Sequence, residues 1–137
     1  MNDLEYHHVG IAVANLVEAA NRFKALLGYE IVSGPFDDPI QKVSVCFLSR
    51  GSGDPWLELV APLGEKSPID RLLARGGGAY HVCYQARDIN AAISHLVSEG
   101  SYLISGPTPA VAFDLRPIAW LRTSPGLIVE LVQAPNS

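Results

Sequence analysis

The sequence has little of what marks a secreted, disulfide-stabilised or nucleic-acid-binding protein. Its two cysteines, Cys46 and Cys83, are far apart and form no CxxC motif, so we interpret them as buried free thiols. Lysine and arginine together number 10 of 137 residues and form no run, and the net charge is −4. A chain of this charge gives no electrostatic reason to expect a nucleic-acid partner.

Long apolar runs are also missing. None approaches the roughly 18 residues that a membrane span requires, and the first five residues are too polar and acidic for a secretory signal. We therefore expect no membrane association and a cytoplasmic protein. The hydrophobic content of 48% suffices for a core, and 137 residues fit a single domain over 1–137.

An internal repeat is the strongest pattern in the chain. His81 repeats His8 after 73 positions, and Glu130 repeats Glu58 after 72. Four blocks correspond in the same order: 8–16 with 81–89, 28–35 with 100–107, 45–48 with 118–121, and 57–60 with 129–132. This order at a nearly constant offset indicates a duplication.

Each repeat has the same predicted elements: a strand, a helix and three further strands. Asn15 and Asp88 are predicted to begin the helices, and a glycine follows each helix. The spacing of apolar residues predicts that the helices bury Leu16, Ala19, Ala20, Phe23 and Leu27, and Ile89, Ala92, Ile93, Leu96 and Val97. The predicted fold class is therefore α+β, with two tandem βαβββ modules at about 4–64 and 78–135 and a linker helix at about 67–76.

Two histidines and two glutamates occupy matching places in the repeats. His8 and His81 lie on the first strand of each repeat, and Glu58 and Glu130 lie within the apolar last strand. A carboxylate in so apolar a strand needs a partner, because an unpaired buried charge is very costly. One divalent cation would be that partner, since two carboxylates neutralise its charge and two neutral imidazoles complete four ligands. Nitrogen and oxygen donors together favour zinc, cobalt, nickel, manganese or iron over calcium or magnesium.

A lone histidine or glutamate in a strand is more often structural than a ligand, and only the repetition favours ligands here. His7 and His95 lack matching partners, so we interpret both as structural. The irregular stretches 34–41 and 106–117 are equivalent in the repeats and are candidate rims of a site. The basic residues are interpreted as surface charges, which could bind an anionic substrate near these rims: Lys42, Arg50, Arg116 and Arg122.

These residues resemble the vicinal oxygen chelate superfamily, which includes glyoxalase I, methylmalonyl-CoA epimerases, extradiol dioxygenases and bleomycin-resistance proteins. The matching stretches are 7–13, 58–69, 77–84 and 126–131, and the resemblance is strongest to the epimerases. It implies that the modules form a curved mixed sheet around a metal-binding cleft. It further implies that His8, Glu58, His81 and Glu130 hold the metal and that the protein is a homodimer.

Two stretches depart from the epimerase pattern. Some epimerases have an acid–base glutamate on the strand equivalent to 42–47, whereas this strand has Val45 and no carboxylate. The stretch 110–117, which reads AVAFDLRP, stands where epimerases commonly have a glycine-rich loop.

The resemblance implies a metal-dependent enzyme that removes a proton next to a carbonyl, either an isomerase or epimerase like methylmalonyl-CoA epimerase or a lyase like glyoxalase I. The substrate would be a small molecule such as an acyl-CoA or another compound with neighbouring oxygens, and Glu58 and Glu130 are the candidate bases. An extradiol-type dioxygenase is the second interpretation, disfavoured because Glu58 would be a fourth ligand. A non-catalytic small-molecule-binding protein of the resistance type is the third, disfavoured because all four ligand types are present.

Overall fold

The computed structural model of the chain describes residues 3–124 and 126–136. Its elements are, in order, β1 (Leu4–Ala12), α1 (Leu16–Leu27), β2 (Glu30–Asp38), β3 (Val43–Ser49), β4 (Trp56–Pro62), α2 (Asp70–Ala74), β5 (Gly78–Ala86), α3 (Ile89–Ser98), β6 (Tyr102–Pro109), a 3₁₀ turn (Val111–Phe113), β7 (Pro117–Arg122) and β8 (Ile128–Gln133). The βαβββ order occurs twice, which confirms the predicted α+β class and the duplication.

The chain divides into two compact units. The first unit is His8–Tyr80, and the second comprises the residues through His7 together with those from His81 onward. Strand β1 therefore contributes its beginning to the second unit and its end to the first. Helix α2 belongs to the first unit and is shorter than the predicted 67–76. Within the described ranges no helix has the length and apolar character needed to cross a membrane.

The first unit contains a mixed sheet in the order β2-β3-β4-β1. Strand β4 is antiparallel to β3 and parallel to β1, and α1, β2 and β3 form the long connection that a parallel pair needs. Helix α1 covers one face, where Ala20, Cys46, Leu48 and Leu59 are buried and Ile11 packs against them. Since side chains alternate along a strand, His8 and Gly10 lie on the opposite face from Ile11.

Both predicted helix starts are confirmed. The Asn15 side chain accepts a hydrogen bond from the Glu18 backbone N–H at 3.0 Å, and the Asp88 side chain accepts one from Ala91 at 3.1 Å. The predicted burial of Leu27 and Val97 is wrong, because they are 54% and 46% exposed. Each lies in the last turn of its helix, beyond the last helix residue that reaches the core.

The second unit repeats this arrangement, with strands in the order β1-β5-β8-β7-β6. Strand β8 is parallel to β5 and antiparallel to β7. Helix α3 packs on one face, where Ile89 and Ala92 meet buried residues of β7 and β8 that include Ala119, Leu121 and Leu131. The opposite face of β5 carries His81, Cys83 and Gln85.

Arg116 is not the ordinary surface charge that the sequence suggested. It is partly buried, and its Nη1 donates to the Gln133 carbonyl at 2.6 Å and to Gln85 Oε1 at 3.4 Å. Its Nε donates to the Phe113 carbonyl at 3.2 Å, and its guanidinium lies 5.5 Å from the centre of the Phe113 ring. The 3₁₀ turn folds the stretch 110–116 back on itself, which brings this side chain to the end of β8.

Gly106 allows β6 to approach β7 closely, and its replacement should destabilise the second unit. Its φ is 98°, and a Cβ there would lie 2.5 Å from the Ile118 carbonyl oxygen. Gly100 has a similar φ of 104° but no other atom within 4 Å of the Cβ position. We expect Gly106→Ala to lower the free energy of unfolding by about 2–4 kcal/mol and the control Gly100→Ala by about 1 kcal/mol. Urea unfolding measures both, and equal losses would contradict the steric argument.

Candidate metal centre

The first unit brings His8 and Glu58 together. His8 lies on β1 and Glu58 on β4, and the parallel register places Glu58 beside Gly10, two residues beyond the histidine. His8 Nε2 lies 3.2 Å from Glu58 Oε1. The two residues are 0% and 5% exposed, so the sheet withdraws both from water. An imidazole and a carboxylate therefore meet on the face away from helix α1.

The second unit contains the same pair in the same register. Glu130 on β8 lies beside Cys83 of β5, again two residues beyond the histidine, here His81. His81 Nε2 lies 3.2 Å from Glu130 Oε1, and both residues are 2% exposed. Each unit thus contains one histidine–glutamate pair, with matching atoms at matching distances.

An aromatic ring supports each histidine. Phe47 lies directly across from Glu58 on the neighbouring strand, and its ring is 5.3 Å from that of His8 at an interplanar angle of 64°. Trp120 lies directly across from Glu130, and its ring is 4.8 Å from that of His81 at 89°. These edge-to-face contacts restrict rotation of the imidazoles and hold each Nε2 toward its carboxylate.

The geometry of each pair suits a divalent metal ion. Two donor atoms bound to one ion at about 2.0–2.1 Å lie roughly 3.0–3.4 Å apart, depending on coordination geometry, and each Nε2–Oε1 distance is 3.2 Å. Neutral imidazole and ionised carboxylate are also the donors that zinc and related ions accept. The residues of each unit therefore fit a metal, and each unit offers two ligands.

Residues 7–120 match the family described as the Glyoxalase/Bleomycin resistance protein/Dioxygenase superfamily. The chain belongs to this superfamily. That assignment confirms the resemblance seen in the sequence, and it covers residues from both repeats.

Several members of the superfamily are similar over nearly the whole chain. An ethylmalonyl-CoA/methylmalonyl-CoA epimerase of Cereibacter sphaeroides is 36% identical over 131 residues, which are 93% of this chain and 96% of that protein. The human mitochondrial methylmalonyl-CoA epimerase is also 36% identical, over 93% of this chain and 73% of its own length. The structure of the Mycobacterium tuberculosis methylmalonyl-CoA epimerase superimposes with a TM-score of 0.81 at 29% identity, over 95% of this chain and 88% of that one. These relatives are enzymes, which confirms that an enzyme is the right expectation.

Three other positions noted in the sequence, His7, His95 and Val45, do not belong to the two His–Glu pairs. His7 packs edge-to-face against Phe113 with ring centres 5.4 Å apart, and His95 is exposed on helix α3. Val45 is buried and lies across from Val60, so the position at which some epimerases have a glutamate is apolar here.

Sequence reasoning assigned Trp120 to the core or the wall of a cleft, but it did not place Phe47 and Trp120 beside the histidines. The sequence did contain a sign of this position, because the two aromatic residues are equivalent in the repeated blocks 45–48 and 118–121. Only the strand register shows that this place lies directly across from the glutamates.

The Cys46 thiol should be unreactive in the folded protein. Burial, with a smaller contribution from the Glu58 carboxylate, raises its pKa from 9.0 to about 11. We expect no alkylation of Cys46 by iodoacetamide at pH 8, because the thiolate is the reactive form. After unfolding in guanidinium the same residue should react, and peptide mass spectrometry distinguishes the two states.

The raised pKa also fixes the sign of a pH effect on stability. Because the pKa of the Cys46 thiol is higher in the folded protein than in the unfolded one, its contribution to the free energy of unfolding is complete below about pH 9. That contribution is lost as the pH rises toward 11. Rapid alkylation of Cys46 in the native protein at pH 8 would contradict the raised pKa of this thiol.

Proposed function

We propose that this protein is a metal-dependent epimerase of malonyl-type acyl-CoA thioesters, such as methylmalonyl-CoA or ethylmalonyl-CoA. The observation that carries the proposal is the buried His–Glu pair, present in each unit at the same register and distance. The names of the relatives supply the substrate class, and their 36% identity extends over 93% of this chain.

We propose His8, Glu58, His81 and Glu130 as the four ligands of one divalent ion. The nitrogen and oxygen donors favour zinc, cobalt, nickel, manganese or iron. When bound, the ion supplies a Lewis acid that polarises the substrate carbonyl and stabilises the negative charge developing on it. The matching pairs and the aromatic rings behind their histidines support this assignment.

Glu58 and Glu130 are the proposed acid–base groups. One carboxylate takes the proton from the carbon between the thioester and the substrate carboxylate, so that the C–H bond breaks and its electrons spread onto the carbonyl oxygen. The other glutamate, protonated beforehand, returns a proton to the opposite side of the same carbon. Each turnover leaves the two glutamates with exchanged protonation, which proton exchange with water restores.

The apolar surroundings of Val45 support this choice of bases. Its neighbours across the sheet are Val60 and Phe36, so this strand offers no carboxylate at that position. Glu58 then combines two properties, since its carboxylate can ligate the metal and can also exchange a proton.

The remaining expectations concern the state of the protein in the cell. A homodimer is proposed from the family resemblance, and light scattering on the purified chain would measure it. A cytoplasmic location stays a prediction from the sequence.

The metal proposal predicts about one transition-metal ion per chain in protein purified without chelator or affinity-tag metal. We expect His81→Ala to lose most of that metal, because it removes one of the four proposed ligand atoms and leaves Glu130 without its partner at 3.2 Å. His95→Ala, which changes an exposed helix residue, is the matched control and should keep it. Elemental analysis measures all three. A wild-type protein that takes up none of a panel of divalent ions would overturn the proposal and favour the binding-protein interpretation.

The two-base proposal predicts opposite defects in two isosteric variants. Glu130→Gln and Glu58→Gln should each lower kcat for epimerisation by about 10²–10⁴-fold, because each removes one proton carrier while keeping an oxygen donor. In D₂O each variant should still exchange the substrate proton of one stereoisomer, and the isomer should differ between the two.

Deuterium incorporation into separated stereoisomers, followed by mass spectrometry, measures this difference. Metal content determined in parallel excludes loss of the ion as the cause. Full activity in either variant would remove that glutamate from the mechanism.

A further inference from the structure

Trp120 lies next to the proposed chemistry in the second unit. It is directly across from Glu130 on the neighbouring strand, and its ring lies 4.8 Å from that of His81. Unlike its neighbours Ala119 and Leu121, which are buried beneath α3, Trp120 is partly exposed. Since side chains alternate along β7, its exposed part lies on the face that carries His81 and Glu130.

The equivalent residue of the first unit is covered. Phe47 is 1% exposed, and the Trp56 ring packs on it with centres 5.4 Å apart. Ile128 stands where the first repeat has Trp56, and an isoleucine is too small to cover an indole in the same way. The duplication therefore retains the aromatic beside the histidine but leaves only the second one accessible.

Edge strand β6, next to Trp120, also carries an exposed aromatic residue that the first repeat lacks at the equivalent position. Tyr102 is 69% exposed and lies across from Arg122, so alternation along β7 places it on the same face as Trp120. Ile104, at the register shift before Ser105, is 46% exposed. The first repeat has Glu30 in place of Tyr102, and Glu30 is paired with Lys24 at 3.2 Å. Ile104 has an exposed counterpart in Val32 of the first unit, so the accessible Trp120 and Tyr102 are what distinguish the surface beside the His81–Glu130 pair.

We propose that Trp120 is a specificity-determining residue that contacts the substituent on the carbon undergoing proton transfer and limits its size. The inference rests on the proposed function, because it needs Glu130 as a proton carrier. A base must come within about 2.6–3.2 Å of the group whose proton it takes, and side chains directly across a sheet have Cβ atoms about 4.5–5.5 Å apart. A substituent on that carbon therefore reaches the accessible indole.

The proposal predicts a change in substrate preference when the indole is made smaller. We expect Trp120→Ala to raise the ratio of kcat/KM for ethylmalonyl-CoA over methylmalonyl-CoA by about tenfold or more, since one methylene changes discrimination by roughly 10–200-fold. Trp120→Phe should shift the ratio in the same direction by less. It also keeps an aromatic edge beside His81, so it remains informative if the alanine variant folds poorly.

The matched control is Phe47→Leu, which loosens the equivalent covered position of the first unit. It should leave the ratio of the two substrates within about twofold, whatever it does to the absolute rate. A second measurement is independent of turnover: calorimetric Kd values for the two thioesters should show the same change of ratio in the Trp120 variants. Metal content is determined in every variant to exclude loss of the ion.

The outcomes separate this inference from the proposed function. An unchanged ratio in both Trp120 variants with metal retained, or an equal shift in Phe47→Leu, would overturn the role of Trp120 while leaving the epimerase intact. Wild-type protein that binds the thioesters without epimerising them would overturn the proposed function and, with it, the role of Trp120 beside the proton-transfer carbon. Protein that binds neither thioester would overturn both.

Discussion

The carboxylates buried in the sheet impose the central constraint on this protein. Glu58 and Glu130 stand in strands whose neighbouring residues are apolar, where an unpaired charge would cost several kcal/mol. Each is accommodated by a histidine at 3.2 Å, whose strand must be parallel to that of the glutamate and in one particular register. A parallel pair requires a long crossover connection, which in each unit consists of one helix and two strands. The parallel register and the buried His–Glu pair therefore occur together in both units.

The duplication explains why the two units have the same arrangement of strands, helix and site residues. The differences between the units show where that arrangement has changed. Both units keep the histidine, the glutamate and an aromatic ring across from the glutamate. The first unit buries its ring beneath Trp56, whereas the second leaves Trp120 accessible and places Tyr102 on the neighbouring edge strand. A repeat that keeps its ligands while changing their surroundings can retain one reaction and adjust which molecules undergo it.

Much of the fold could be predicted because the repeat made every local signal appear twice. Asn15 and Asp88 were readable as helix starts from their short polar side chains, and the glutamates were conspicuous because charges are rare inside apolar strands. Other features depend on contacts that no local pattern encodes. Leu27 continues the apolar face of its helix, yet it lies one turn past Phe23, the last α1 residue in the core.

Arg116 is a similar case, because its burial follows from the 3₁₀ turn that brings it to the end of β8. The aromatic partners of the histidines became evident only through the register that sets Phe47 and Trp120 opposite the glutamates.

Strand β1 changes units between His7 and His8, directly before the first candidate ligand. A half-length chain beginning near Gly78 would therefore lack the strand that lies beside β5 in the second unit, and that edge would be left with unpaired backbone groups.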